Sequence, residues 1–226
     1  MKNKTKKALC AASILGVVAI SGIFAYLTDT DSATNNFTVG EVKIELQEPT
    51  WDAALEEDED YATHIVANQE FTKDPQVENV GANDAYVFLS VTVPKATVVT
   101  ADEDGILEND GEARETVLFT FDIDEENWCN IANEEGENSN TIIYFYKTGA
   151  ISPEETTEPL FESVKFVNII DGEIAVDTAE NIVINAYAIQ KDAIPDTIDI
   201  NSGDGKRQLF NIISHQNNLG IELEMK

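Results

Sequence analysis

Hydrophobic and polar residues alternate with a period of two along much of the chain, which is the pattern of β-strands with one buried face. A shorter stretch, residues 142–146, is continuously apolar and predicts a strand that is covered on both faces. The alternating segments are residues 41–46, 87–93 (ending at Pro94), 117–123, 161–170 and 182–189. The pattern therefore predicts a protein made mainly of β-strands.

Short stretches rich in Gly, Asn and Asp separate these segments, as expected for turns between strands. They are residues 78–84, 102–105, 109–111, 134–136 and 171–172. Several short strands joined by turns at this spacing predict an all-β fold, specifically an antiparallel β-sandwich or jelly roll.

One segment near the C-terminus has helical instead of strand periodicity. Within residues 207–216, Leu209, Ile212 and Ile213 recur at the spacing of one helix face, with Phe210 beside them. A Gly-rich turn at residues 202–205 precedes this segment. We predict a short C-terminal helix that caps the sandwich.

The N-terminus has the features of an export signal. Four lysines precede residues 8–23, which carry no charge, and residues 23–25 offer a cleavage point between Ala25 and Tyr26. A second possible cleavage site lies at residues 19–21. The alternative is an uncleaved membrane anchor, because residues 8–27 are just long enough to span a bilayer as a helix.

These features divide the chain into three parts. Residues 1–25 form a signal peptide with a signal helix, residues 26–36 an extended tail, and residues 37–226 the jelly-roll domain. Contact with a membrane is then expected only through the signal segment before cleavage. The predicted product is secreted.

The charge of the chain excludes some partners. The 14 basic and 43 acidic residues give a net charge of −29. Removal of 25 residues, which include four lysines and no acid, leaves 201 residues and a net charge of −33. Nucleic acid and anionic lipid surfaces bind through basic residues, so neither is an expected partner. The apolar fraction of 42% is that of an ordinary globular protein.

Candidate chemistry is sparse. Cys10 lies in the signal, so Cys129 has no intramolecular partner and is either a small buried hydrophobe or the site of an intermolecular bridge. The two histidines, His64 and His215, do not form a zinc-protease motif. We therefore predict no catalytic residue, no metal ligand and no cofactor site, and hence no enzyme.

Two acidic runs leave one alternative open. Residues 56–60 and 102–105 are rich in carboxylates but lack the EF-hand spacing, which predicts solvated loops. Carboxylate oxygens are also the ligands that calcium prefers, so calcium binding there is the alternative.

Several segments together resemble one family. They are residues 25–40, the Lys-Asp pair in residues 72–75 before a strand at 76–79, residues 81–87 at the start of the next strand, and residues 186–190. These segments are similar to the TasA/camelysin family of Gram-positive bacteria, whose signal peptides are cut by a SipW-type signal peptidase. The resemblance implies a jelly-roll protein of the cell surface or biofilm matrix whose relatives polymerise into fibres. Camelysin relatives are labelled metallo-endopeptidases, so a secreted protease is an alternative function.

The predicted tail suits assembly. It is polar and Thr-rich, which favours extended structure, and it carries only a few apolar residues. The apolar positions proposed for a donor strand are Tyr26, Leu27, Ala33 and Phe37. Such a tail could add to the sheet edge of a second copy and build filaments. The alternatives are a disordered lead into the first strand, and a monomeric surface adhesin or binding module.

Overall fold

The computed structural model of the protein describes residues 42–62, 65–172 and 182–225 of the 226-residue chain. These residues form mainly antiparallel strands, followed by a helix near the C-terminus. The strands are β1 (Ile44–Gln47), β2 (Glu70–Thr72), β3 (Gln76–Asn79), β4 (Ala85–Thr100), β5 (Arg114–Val117), β6 (Phe119–Thr120), β7 (Trp128–Glu135), β8 (Ser139–Tyr146), β9 (Ser163–Phe166), β10 (Ile169–Asp171) and β11 (Val183–Gln190). The helices are α1 (Pro49–Glu57) and α2 (Gly203–Asn217). The predictions of an all-β protein and of a C-terminal helix are confirmed, whereas the predicted signal helix lies outside the described residues.

A six-stranded sheet, which we call the main sheet, is organised around β4. This strand is 16 residues long and therefore has room for several partners. Its first half lies between β8 and β11, and its second half pairs with β5 and then with β10. β7 pairs with the other side of β8. Among the described strands, β7 and β11 are thus the outer strands of this part of the sheet.

Two smaller sheets complete the described strands. β1 pairs with β3, and β9 lies between β2 and β6. All of these pairs are antiparallel, like those of the main sheet.

The two faces of the main sheet are buried in two different hydrophobic cores, because alternate side chains of a strand point to opposite faces. On one face, Val87, Leu89 and Val91 of β4 belong to a first core that also contains apolar residues of the smaller sheets. On the other face, Phe88 belongs to a second core with Leu209 of α2. The C-terminal helix therefore covers the face that the smaller sheets do not.

Most of the predicted strands and the helix occur where the pattern placed them. In β1, Ile44 and Leu46 are buried while Glu45 between them is exposed. β8 is buried on both faces over residues 143–146, as its continuous apolar run predicted. α2 contains the predicted segment and begins earlier, where the Ser202 hydroxyl accepts a hydrogen bond from Gly205 N–H at 2.9 Å. That N-terminal cap accounts for the earlier start.

The strand predicted to end at Pro94 instead continues to Thr100. Proline lacks the N–H that a central strand donates to its neighbour. In β4 this gap is harmless, because the described pairing with β11 reaches only Thr92 and the pairing with β5 begins at Lys95. Pro94 lies between these two partners, and its carbonyl accepts a hydrogen bond from Leu118 N–H at 2.9 Å.

Two other predicted strands are each divided between two sheets. The segment 117–123 breaks at the fully buried Leu118, so that β5 joins the main sheet and β6 joins β9. The segment 161–170 breaks after Phe166, so that β9 and β10 also lie in different sheets. The apolar pattern continues through both breaks because Leu118 is fully buried at the first, and Val167 and Ile169 pack against the first core at the second.

Candidate functional site

The residues predicted to carry export and assembly lie outside the described residues. They are the cleavage-site residues Ala25 and Tyr26 and the donor-strand residues Tyr26, Leu27, Ala33 and Phe37. His64 lies outside the described residues as well. The geometry below therefore concerns the motifs and sheet edges of residues 42–225.

Lys73, in the Lys-Asp motif, forms a buried ion pair. Its Nζ donates to Oε2 of Glu48 at 2.8 Å, and the two side chains are 4% and 2% exposed. The same Nζ lies 4.6 Å from the centre of the Trp51 ring, within range of a cation–π interaction. The ion pair joins Glu48, at the start of α1, to the connection between β2 and β3. Loss of either partner would leave the other charge buried without compensation, so the pair holds these two segments together.

Asp74, the second residue of the motif, caps α1 from a distant part of the chain. Its carboxylate accepts hydrogen bonds from Thr50 N–H at 3.0 and 3.1 Å and from Trp51 N–H at 3.4 Å. The first N–H groups of a helix have no partner within it, so this carboxylate satisfies them and also interacts favourably with the helix dipole. The role of the Lys-Asp motif within the described structure is thus to stabilise the fold.

The motif at residues 81–87 is organised by Asn79. The Asn79 side chain donates to the carbonyls of Asn83 and Ile151, both at 2.9 Å, and accepts from Gly81 N–H at 3.0 Å. These bonds close the turn that leads into β4. Asp84, the last residue of this turn, forms an ion pair with Lys191 at 3.2 Å.

The acidic runs are exposed, but one of them is partly helical. Glu56 and Glu57 belong to α1, so the prediction of a loop is wrong for these two residues. In the second run, Asp102 Oδ1 accepts from the N–H groups of Asp104 and Ile106 at 3.0 and 2.8 Å and closes a turn. No group of three or more His, Cys, Asp or Glu residues is arranged to hold a metal ion in residues 42–62, 65–172 and 182–225. Calcium binding stays a prediction.

Cys129, predicted to be either a small buried hydrophobe or the site of an intermolecular bridge, is partly buried and packs against the second core. It lies on the outer strand β7, where partial exposure follows from the lack of a further strand beside it among the described residues. Burial raises the pKa of the thiol, while the nearby Lys206 and Lys147 oppose this increase. The thiol is therefore a poor nucleophile at neutral pH. His215 is exposed in the last turn of α2.

Two polar grooves occur in the described structure. One, of about 340 Å³, includes Asp124, whose pKa is lowered chiefly by a hydrogen bond from the Asn127 side chain. The other, of about 400 Å³, contains Lys95, which pairs with Glu115 at 2.8 Å. A carboxylate with a lowered pKa stays ionised and is unsuited to act as a general acid near neutral pH. Both charged groups are satisfied by neighbours within the fold.

The outer strands of the main sheet differ in composition and geometry. β7 carries Glu134 and Glu135 and has a bulge between Asn130 and Ala132. β11 carries no charged residue, and its register with β4 is continuous over eight residue pairs. Sequence analysis identified β11 as a strand but not as an outer one. Its uncharged sequence contains no signal for that role.

Comparisons with known proteins identify no relative. No protein-family model, no curated protein and no solved structure matched the chain. Within the described residues, neither α-helix is long and apolar enough to cross a bilayer.

Proposed function

We propose that this protein is an exported structural subunit of cell-surface or biofilm-matrix fibres of a Gram-positive bacterium, and that it assembles by N-terminal donor-strand exchange. In this proposal a SipW-type signal peptidase cuts after Ala25, and residues 26–36 of one copy then add as a strand to the next copy. The motifs at residues 25–40, 72–75 and 81–87 support membership of the TasA/camelysin family.

The observation that carries the proposal is that the main sheet ends in two outer strands. Among the described strands, the main sheet ends at β7 and β11, and neither has a strand partner on its outer side. Main-chain groups at such an edge can pair with an extended peptide, which is the physical basis of strand addition. A tail that joins one copy to the next makes a contact that does not close on itself, and such contacts build filaments.

The layered core supports a β-sandwich of jelly-roll type as part of this proposal. The first core packs the main sheet against the two smaller sheets, and the second packs it against α2. We expect a subunit with two cores of its own to fold without the tail. Removal of the tail is therefore a meaningful test of assembly.

Electron microscopy of the mature chain tests the proposal. Protein that begins at Tyr26 should form filaments in negative stain, whereas protein that lacks residues 26–36 should remain folded by circular dichroism and form none. Leu27→Asp or Ala33→Glu should also prevent assembly, because a carboxylate that enters an apolar pocket loses its water without gaining a partner. Thr34→Glu, which adds a charge at a polar tail position, is the matched control for Ala33→Glu. Filaments from the truncated chain would refute the donor-strand mechanism.

Export has its own test. Mass spectrometry of the secreted protein should show Tyr26 as the first residue, and loss of the SipW-type peptidase should leave the longer form in the cells. A secreted form that begins at Met1 would favour a membrane anchor over a cleaved signal.

A further inference from the structure

The ion pair between Lys73 and Glu48 is enclosed more completely than any other that the structure shows between described residues. Its two side chains are 4% and 2% exposed, whereas each of the other pairs has at least one side chain that is 45% exposed or more. Trp51 is 1% exposed, belongs to the first core and has its ring centre 4.6 Å from Lys73 Nζ. Bulk water is therefore kept away from both the amine and the carboxyl group.

Burial makes the charged form of this pair costly. Removal of an ammonium and a carboxylate from water has a desolvation cost that can exceed their mutual attraction. Nζ of Lys73 and Oε2 of Glu48 are 2.8 Å apart, so one proton can pass directly between them and leave a neutral amine beside a carboxylic acid. Surroundings of low dielectric constant favour the neutral forms of both groups. These two neutral groups are the reactants from which an amide forms.

We propose that Lys73 and Glu48 condense to form an intramolecular isopeptide bond. The lone pair of Nζ attacks Cδ of Glu48 and forms the new N–C bond, and the Cδ–Oε2 bond then breaks. Oε2 leaves as water with two protons from Nζ, one from the initial transfer and one that moves as the tetrahedral intermediate collapses. The third proton of the ammonium stays on the amide nitrogen. The reaction is therefore balanced without an oxidant, a reductant or a second substrate.

The fold positions the two reactants for this step. Nζ of Lys73 is held by the carboxylate of Glu48 and by the ring of Trp51. Groups fixed in contact react as though each were present at an effective concentration of about 10⁵ M or more, which offsets the unfavourable equilibrium of amide formation in water. The exclusion of water also slows the reverse reaction, which is hydrolysis of the amide.

The bond joins the start of α1 to the connection between β2 and β3. It closes residues 48–73 into a covalent loop that contains both α1 and β2. A cross-link of this kind restricts the unfolded chain, as a disulfide does, but a reducing agent cannot open it. The loop also remains closed when the surrounding fold is pulled apart or denatured, which an ion pair does not survive.

Mass spectrometry of the purified and then denatured protein tests the bond. The intact mass should be lower than the mass of the sequence by one water, and a digest should contain a peptide in which Lys73 is joined to Glu48. Lys73→Arg keeps the positive charge but lacks the amine, and should restore the full mass. Lys95→Arg is the matched control. Lys95 also lies 2.8 Å from a carboxylate, but that of Glu115 is 56% exposed, so this variant should keep the deficit of one water.

Peptide mapping separates this bond from other losses of water. An Asp-Gly pair such as residues 104–105 can lose water as a succinimide, which mild alkali hydrolyses, whereas the isopeptide bond persists. Separate, unmodified peptides that contain Glu48 and Lys73 as the main products of the folded wild-type protein would overturn the proposal. So would a deficit that persists in Lys73→Arg. The map of the wild-type protein decides the question even if that variant does not fold, and it does not depend on filament assembly.

Discussion

Asp74 stabilises a helix that begins 25 residues before it in the chain. Its carboxylate is the partner of two N–H groups at the start of α1, and it is 5% exposed. We expect Asp74→Ala to lower the free energy of unfolding by about 1–3 kcal/mol, because it leaves buried donors without an acceptor. Urea denaturation measures this change. Glu56→Ala, on the exposed side of the same helix, should stay within about 0.5 kcal/mol, and equal effects of the two variants would contradict the capping role.

Tyr144 makes the stability of the fold sensitive to alkaline pH. It is 3% exposed in the first core, and burial raises its pKa to about 12. A phenol whose pKa is raised on folding favours the folded state below the unfolded pKa of about 10. That contribution to stability is lost as the pH rises toward the pKa of Tyr144 in the folded state, about 12. Burial also raises the pKa of Tyr187, so this residue contributes in the same direction as Tyr144. A hydrogen bond with Ser90 lowers the pKa of Tyr187 and opposes part of that increase.

We therefore expect the free energy of unfolding to fall between about pH 10 and pH 12 as the buried phenols ionise. Tyr144→Phe should move the midpoint to higher pH, because phenylalanine has no proton to lose. Circular dichroism reports unfolding during the titration, and tyrosinate absorbance reports ionisation. An unchanged midpoint in Tyr144→Phe would show that this residue does not determine the transition.

At the scale of elements, α2 approaches the loop before it so closely that only glycine fits. A Cβ atom on Gly205 would lie 1.9 Å from the carbonyl oxygen of Asp199, whereas one on Gly203 would meet only the end of the Arg207 side chain at 3.4 Å. We expect Gly205→Ala to destabilise the protein by several kcal/mol, since the backbone of the helix must move. Gly203→Ala is the matched control and should be nearly neutral. Thermal unfolding separates the two, and similar melting temperatures would contradict the close approach.

The elements that sequence analysis located well are those whose burial follows one period. β1 and β11 alternate and α2 has helical spacing, while β8 contains a continuous apolar run; each of these elements includes the segment predicted for it. The pattern reports burial, however, and not which sheet a strand joins. For this reason the breaks at Leu118 and after Phe166 could not be predicted.

Two of the elements that sequence analysis missed, α1 and β7, lack a strong local apolar pattern. α1 has a single fully buried side chain, Trp51, and its cap comes from Asp74. β7 is rich in Asn and Glu because one of its sides faces outward, so its alternation is weak. Neither the helix and strand propensities of the residues nor their apolar periodicity predicts these two elements.

At the scale of the whole molecule, the two halves of the candidate site differ in how well they can be predicted. The proposed donor tail is predicted from local composition after a predicted signal segment. The sheet edges to which such a tail would add depend instead on pairing between distant segments, such as that of Thr92 in β4 with Val183 in β11. A sequence shows that β11 is an uncharged strand, but its position at the edge follows only from the order of strands in the sheet.

The net charge is also a property of the whole molecule. After the proposed cleavage at Ala25 it would be −33, and we expect this charge to control assembly. Two such subunits repel each other as they approach, and the repulsion reaches about 30 Å at 0.01 M ionic strength but about 8 Å at physiological ionic strength. Filament growth from the mature chain should therefore be slow in low salt and accelerate as NaCl is added, when followed by light scattering. Sucrose at matched osmolality is the control for non-ionic effects. MgCl2 at matched ionic strength should act like NaCl if screening is the cause. Growth that is equally fast at both ionic strengths would show that the charge does not oppose assembly, and that the acidic residues face away from the subunit contact.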